Sequence, residues 1–169
     1  YCEISIGLAA SGMYGAATLS HLLQGSLMDY AARVQRARAI AAAGGITAAL
    51  EAGEIAEIQS EVSLSEALVL GLLRQGVSTY FAVFGHGSTD LAEVLRIYDS
   101  AGVTRTFNCR NEVEMSHAAT ALSWQYRQVC AVVTSIGPGA LQALAGSLAA
   151  ASNGVGVYHI YGDETTWGE

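Results

Sequence analysis

From Ser63 to Tyr161 the chain alternates short β-branched runs with apolar stretches of helical spacing, and this alternation limits the fold more than any other feature. Leu64, Ala67, Leu68, Leu72 and Leu73 recur at helical spacing over residues 64–75, opened by Ser63 with Glu66 three residues on and closed by Gly76. Val77–Phe84 reads as a buried strand, and Asp90 with Glu93 opens a helix over Leu91–Asp99 that stops at Ala101-Gly102. Val103–Cys109 is a strand, Glu112–Tyr126 a helix, Gln128–Thr134 a strand, Ala140–Ala151 a helix and Val155–Tyr161 a strand. Strands alternating with helices of about ten to fifteen residues predict crossover connections and an open, parallel α/β sheet with helices on both faces.

In such sheets ligands bind beyond the carboxyl ends of the strands, where the strand-to-helix turns lie. Those turns are Gly85-His86-Gly87-Ser88-Thr89, Arg110-Asn111-Glu112, Ser135-Ile136-Gly137-Pro138-Gly139 and Gly162-Asp163-Glu164. Asn111 is a good N-cap and Glu114 stands three residues on, a capping box in which each side chain serves an orphan amide of the first turn. Glu114 therefore has a structural job, and Glu112, on the first helical position, has none. That makes Glu112 the candidate for chemistry. His86, between two glycines, is a functional group near neutral pH or an ordinary loop histidine. His117 and His159 read as core or interface histidines.

Gly137-Pro138-Gly139 before a helix fits a phosphate cradle or a plain turn with proline near the first helical position. The chain has neither Gly-x-Gly-x-x-Gly nor a Walker sequence, no Gly-x-Ser-x-Gly elbow, and no clustered ligands for a metal. Its formal charge of −7 without a basic cluster leaves a nucleic acid no electrostatic footprint. Glycines, serines and Pro138 break every apolar run before it could span a bilayer, and no basic segment precedes the first one, so neither a membrane span nor a secretory signal is expected. Cys2, Cys109 and Cys130 are odd in number and form no Cys-x-x-Cys pair, the usage of free thiols in a reducing, cytoplasmic compartment.

With 169 residues at 51% hydrophobic content, the expectation is one domain plus an appendage. Residues 1–60 are read as an N-terminal helical extension, with a helix over Leu27–Ala43 between Ser26 and Gly44-Gly45 and a shorter one over Thr47–Ile58. Arg33, Arg36 and Arg38 are read as a solvated face. Residues 61–169 form the α/β domain, and an end at Gly168-Glu169 without a closing element suggests a piece of something longer.

Taken together, the segments Val-Phe-Gly-His-Gly (83–87), Arg-Asn-Glu-Val-Glu-Met-Ser-His-Ala-Ala (110–119), Thr-Ser-Ile-Gly-Pro-Gly-Ala (134–140) and Val-Tyr-His-Ile-Tyr-Gly-Asp (157–163) resemble the pyrimidine-binding domain of thiamine-diphosphate-dependent enzymes. Within that superfamily they are most similar to the acetolactate synthase group and the trihydroxycyclohexanedione hydrolases. The resemblance implies that Glu112 hydrogen-bonds N1′ of the aminopyrimidine and so activates the cofactor for attack on the carbonyl of a 2-oxo acid or cyclic dione, with C–C bond cleavage or formation. It implies a catalytic role for His86 and cofactor contacts from Gly85, Gly87, Gly137 and Pro138.

Where many relatives have Phe-Gly-x-Pro-Gly, this chain has Gly85-His86-Gly87, and Val113 and Glu114 stand where relatives usually have Gln and Gly. The Gly-Asp-Gly…Asn motif that holds the diphosphate and its Mg2+ in these enzymes is absent. The resemblance therefore implies a separate diphosphate-binding domain or subunit, and a homodimer or higher oligomer. A non-catalytic assembly or regulatory module of the same fold is the alternative.

Overall fold

The computed structural model describes residues 16–56 and 62–163. Its elements, in order, are α1 (Ala16–Ala43), α2 (Ile46–Glu51), α3 (Leu64–Arg74), β1 (Thr79–Val83), α4 (Thr89–Ser100), β2 (Arg105–Asn108), α5 (Glu112–Tyr126), β3 (Cys130–Thr134), α6 (Pro138–Ser152) and β4 (Val157–Tyr161). The sheet is four-stranded and all parallel, in the order β2-β1-β3-β4. The fold is thus the expected α/β class, and every strand and helix expected after Ser63 is present. Of two compact units, Tyr1–Ala32 and Arg33–Glu169, the second contains the sheet.

Alternation along the strands sorts the core into two halves. Tyr80 and Ala82 of β1, with Ala131 and Val133 of β3, pack beneath α3 and α4 together with Val69, Leu91, Val94 and Leu95. Phe81, Val83, Cys130 and Val132 point the other way, onto Met115 and Ala119 of α5 and Ala143 of α6. Every residue of β3 is buried, whereas β2, at one edge, is largely exposed. This is the burial gradient of a parallel sheet covered on both faces only at its centre. Phe81 and Phe107, register partners on β1 and β2, stack with ring centroids 5.3 Å apart.

Several local expectations shift. The first helix starts at Ala16 rather than Leu27, with Ser26 inside it. The second ends at Glu51, because Gly53 at φ 71° turns the chain and the Glu54 N–H bonds back to Ala49 O at 2.9 Å. The domain boundary expected near Ser60 falls outside the described residues. The compact unit that holds the sheet takes in residues from Arg33 on, since Ala37, Ile40, Ile46, Ala49 and Ile55 share one core with Val69 and Tyr80.

The reading of Arg33 and Arg36 as solvated surface is overturned. Arg33 is buried, and Arg36 grips the wholly buried Glu66 with two bonds, Nε to Oε1 at 2.8 Å and Nη2 to Oε2 at 2.6 Å. Arg33 Nε lies 3.5 Å from Oε2, and the Tyr98 hydroxyl donates to Oε1 at 2.9 Å. Burial, and then the Glu66 carboxylate, push the Tyr98 hydroxyl far above its ordinary pKa, so it remains a donor. Ser63 caps α3 as expected, accepting from the Glu66 N–H at 3.3 Å, but the Glu66 carboxylate serves α1 and α4 instead of its own helix end. A paired, fully bonded buried carboxylate holds only while both signs of charge are present.

Replacing Glu66 by Ala removes the buried carboxylate that Arg36 and the buried Arg33 share. Urea unfolding should show a loss of about 3–5 kcal/mol, and a loss under about 1 kcal/mol, the level of a surface pair, would contradict this account.

Candidate functional site

The site is set by the way α5 and α6 pack. Gly139, Ala143, Gly146 and Ala150 make up the buried face of α6, so this helix turns its smallest residues inward. A Cβ on Gly146 would stand 2.7 Å from Ser116 Cβ and 3.1 Å from Val113 O, which measures how closely the backbones approach. The Ser116 hydroxyl bridges them, 3.0 Å from Ala143 O and 3.0 Å from Glu112 O. The bulky side chains of α6 point outward in consequence: Leu141, Leu144 and Leu148 are 69%, 56% and 70% exposed.

This approach carries the start of α5 onto the start of α6. Glu112 is the first residue of α5, following the N-cap Asn111, whose Oδ1 accepts the Glu114 N–H at 2.8 Å. Only this half of the expected capping box forms, because the Glu114 carboxylate turns to Arg110 at 3.3 Å. The Glu112 side chain is half-buried, and its Oε1 comes within 3.0 Å of where a Cβ on Gly139 would be. Among the described residues nothing hydrogen-bonds or ion-pairs with this carboxylate. It lies where the positive ends of two helices meet, an acceptor held in place and left open.

The glycine turns lock the same edge of the sheet. A Cβ on Gly85 would meet Ser135 Cβ at 2.7 Å, and one on Gly87, at φ 78°, would meet Ile136 Cγ2 at 2.6 Å and Asp163 O at 2.7 Å. The Ile136 N–H donates to His86 O at 3.1 Å, and the Ser88 hydroxyl accepts from the Gly85 N–H at 3.1 Å. These contacts draw together the ends of β1, β3 and β4 at the point where the strand order reverses, between β1 and β3. Gly85 and Gly87 thus serve the joining of the turns. His86 is exposed on this edge, as are Gly137, the N-cap of α6 at φ 57°, and Pro138 at its first position.

Glu112 and the three turns therefore share one edge, as the sequence expected. Sequence reasoning missed the weight of Ser135 and Gly139, which comes from the approach of Gly85 to Ser135 and of Glu112 to Gly139 across distant parts of the chain; a Cβ on Gly139 would also meet Ser135 Oγ at 2.6 Å. The readable signal was the small-residue stripe Gly139, Ala143, Gly146, Ala150. His117 is exposed on α5 and lies outside the core. His159 is half-buried on β4 with Nδ1 3.0 Å from the Tyr161 hydroxyl. Cys130 is buried under α5, which pushes its thiol up to about 11 and leaves it inert. Among the described residues no group of three or more His, Cys, Asp or Glu could hold a metal, and no helix is long and apolar enough to cross a membrane.

Residues 62–169 match the family model described as thiamine pyrophosphate enzyme, N-terminal TPP binding domain. The chain is 38% identical over 90 residues to the 3D-(3,5/4)-trihydroxycyclohexane-1,2-dione hydrolase of Bacillus licheniformis, covering 52% of this chain and 14% of that protein. It is 37% identical over 89 residues to the Bacillus subtilis protein of the same name, again covering 52% and 14%. The structure resembles benzoylformate decarboxylase from Polynucleobacter necessarius with a TM-score of 0.53 at 19% identity, over 60% of this chain and 18% of that one. The chain thus spans a small fraction of the length of each.

Burial holds the His159 pKa below its ordinary value. The unfolded chain then binds more protons at this position than the folded one below about pH 6.5, so its effect on stability is unfavourable there and fades as the pH rises through that value. Comparing urea midpoints at pH 5 and pH 7, the fall toward pH 5 should be smaller in His159→Phe than in the parent. An equal fall in both would refute the assignment.

Proposed function

Since the chain belongs to the thiamine pyrophosphate enzyme family, as its N-terminal TPP binding domain, we propose that it binds the aminopyrimidine of thiamine diphosphate in an enzyme that cleaves or forms C–C bonds beside a carbonyl. The observation that carries this reading is the Glu112 carboxylate, half-buried at the meeting of two helix starts and without a partner among the described residues. When bound, the cofactor supplies a carbon nucleophile and an electron sink for such bonds. Glu112 holds or shares a proton at N1′, which requires a carboxyl within hydrogen-bonding reach and unclaimed by the protein. His86, exposed on the turn after β1, is the second titratable side chain proposed to take part in the chemistry on this edge. Gly85 and Gly87 hold the turns of this edge close together, and Gly137 and Pro138, exposed beside them, are proposed as cofactor contacts.

The fit of these residues is to the pyrimidine half of the cofactor only. Diphosphate and Mg2+ are assigned to another domain or subunit, since the described residues gather no metal-ligand cluster. The outward leucines of α6 support such a partner, because a helix that buries alanine and glycine while exposing Leu141, Leu144 and Leu148 is stable in water only at a cost that a covering surface removes. The similarity to dione hydrolases supports a cyclic dione as substrate.

In the full-length protein loaded with thiamine diphosphate and Mg2+, Glu112→Gln should slow exchange of the cofactor C2 proton by about 10²–10⁴-fold, followed by NMR in deuterium oxide. Exchange as fast as in the parent would remove the catalytic reading and leave an assembly module of the same fold. Separately, Leu144→Arg should shift the protein to a smaller species in size-exclusion chromatography, with an unchanged elution volume counting against the partner surface.

A further inference from the structure

We propose that Gly139 is the positioning residue for the Glu112 carboxylate: the lack of a side chain there lets Glu112 Oε1 lie within 3.0 Å of the Cβ position on the first turn of α6. The proposal rests on the role given to Glu112 above and adds what holds that acid in place.

Two ordinary reasons for a glycine do not apply at this position. The backbone of Gly139 is not among those with positive φ, so no left-handed conformation demands it. Close helix packing does not demand it either, as comparison with Gly146 makes plain. A Cβ on Gly146 would press on Ser116 Cβ at 2.7 Å and on the backbone oxygen of Val113 at 3.1 Å, atoms that cannot move without shifting α5. A Cβ on Gly139 would press on two side-chain tips, Ser135 Oγ at 2.6 Å and Glu112 Oε1 at 3.0 Å, and would otherwise meet Thr134 Cβ at an ordinary 3.7 Å.

Both tips can yield. The Ser135 hydroxyl is held by a long contact to Ile136 O at 3.5 Å and can rotate away. The Glu112 carboxylate has no partner among the described residues and can swing out. A methyl group at this position is therefore absorbed by moving the acid, with the fold intact. What the glycine preserves is the acid's location. A Cβ at 3.0 Å moves the carboxylate by a few tenths of an ångström, and since a displacement of roughly 1 Å can cost about 10²-fold in rate, the loss is about fivefold.

The test uses G139A, E112D, E112Q and the double variant G139A/E112D in the full-length, cofactor-loaded protein. In G139A the thermal midpoint should equal or exceed the parent's, since alanine favours a helix over glycine, while C2-proton exchange falls about fivefold. Aspartate is one methylene shorter and withdraws from the added methyl, so G139A/E112D should exchange at least about twofold faster than G139A, although E112D alone is slower than the parent. In the chain without cofactor, the nuclear Overhauser contact between the Glu112 γ-protons and residue 139 should be present in the parent and weakened in G139A. Exchange in G139A within twofold of the parent overturns the proposal, as does a loss that E112D fails to relieve. Parental exchange in E112Q would instead sink the role of Glu112 itself, and the Overhauser contact would still report whether Gly139 seats the side chain.

Discussion

The close approach of α5 and α6 is the constraint from which the rest of this edge follows. Helices meet this tightly only where side chains are small at the contact, and Ala143, Gly146 and Ala150 provide that on one side, with Ser116 on the other. Larger residues along this face would push α6 outward and carry its first turn away from Glu112. The same geometry turns the leucines of α6 to the outside. The location of an acid and the exposure of an apolar surface are two results of one packing choice.

Two carboxylates in first helical turns show how tertiary surroundings divide structural from functional charge. Glu66, in the first turn of α3, is enclosed and bonded by Arg36, Arg33 and Tyr98. Its charge is spent on holding α1, α3 and α4 together, and every oxygen is claimed. Glu112, in the first turn of α5, is half-buried and unclaimed among the described residues. A buried acid with all its lone pairs used cannot take part in proton traffic without releasing its partners. An acid held by shape and helix ends alone keeps that capacity, which is why the uncommitted carboxylate is the one suited to chemistry.

Much of this was legible in the sequence. Period and punctuation placed α5 at Glu112–Tyr126, where the structure has it, because Asn111 caps in the expected sense and Arg127 ends the helix at positive φ. The edge that gathers Glu112, His86 and the glycine turns was legible too, since in a parallel sheet every strand-to-helix turn falls on one side. What was not legible depends on contacts between distant positions. Arg36 and Glu66 are 30 residues apart, and nothing local separates an arginine that will be buried from one that will not. The fate of Glu114 depended on Arg110, which competes with the helix end for the same carboxylate. Strand order, and with it the meeting of β1 and β3, is a global property that no single segment encodes.

The position of the exposed leucines ties assembly to the site. Leu141 lies two residues beyond Gly139 and on the same first turns of α6 that seat the Glu112 carboxylate. The proposed cover over Leu141, Leu144 and Leu148 would lie on the outward side of α6, with Gly139 and the Glu112 carboxylate on its inner side. Under the proposed reading, a partner on the outward face of α6 would act on the acid only through the position of the helix, whose inner face seats it.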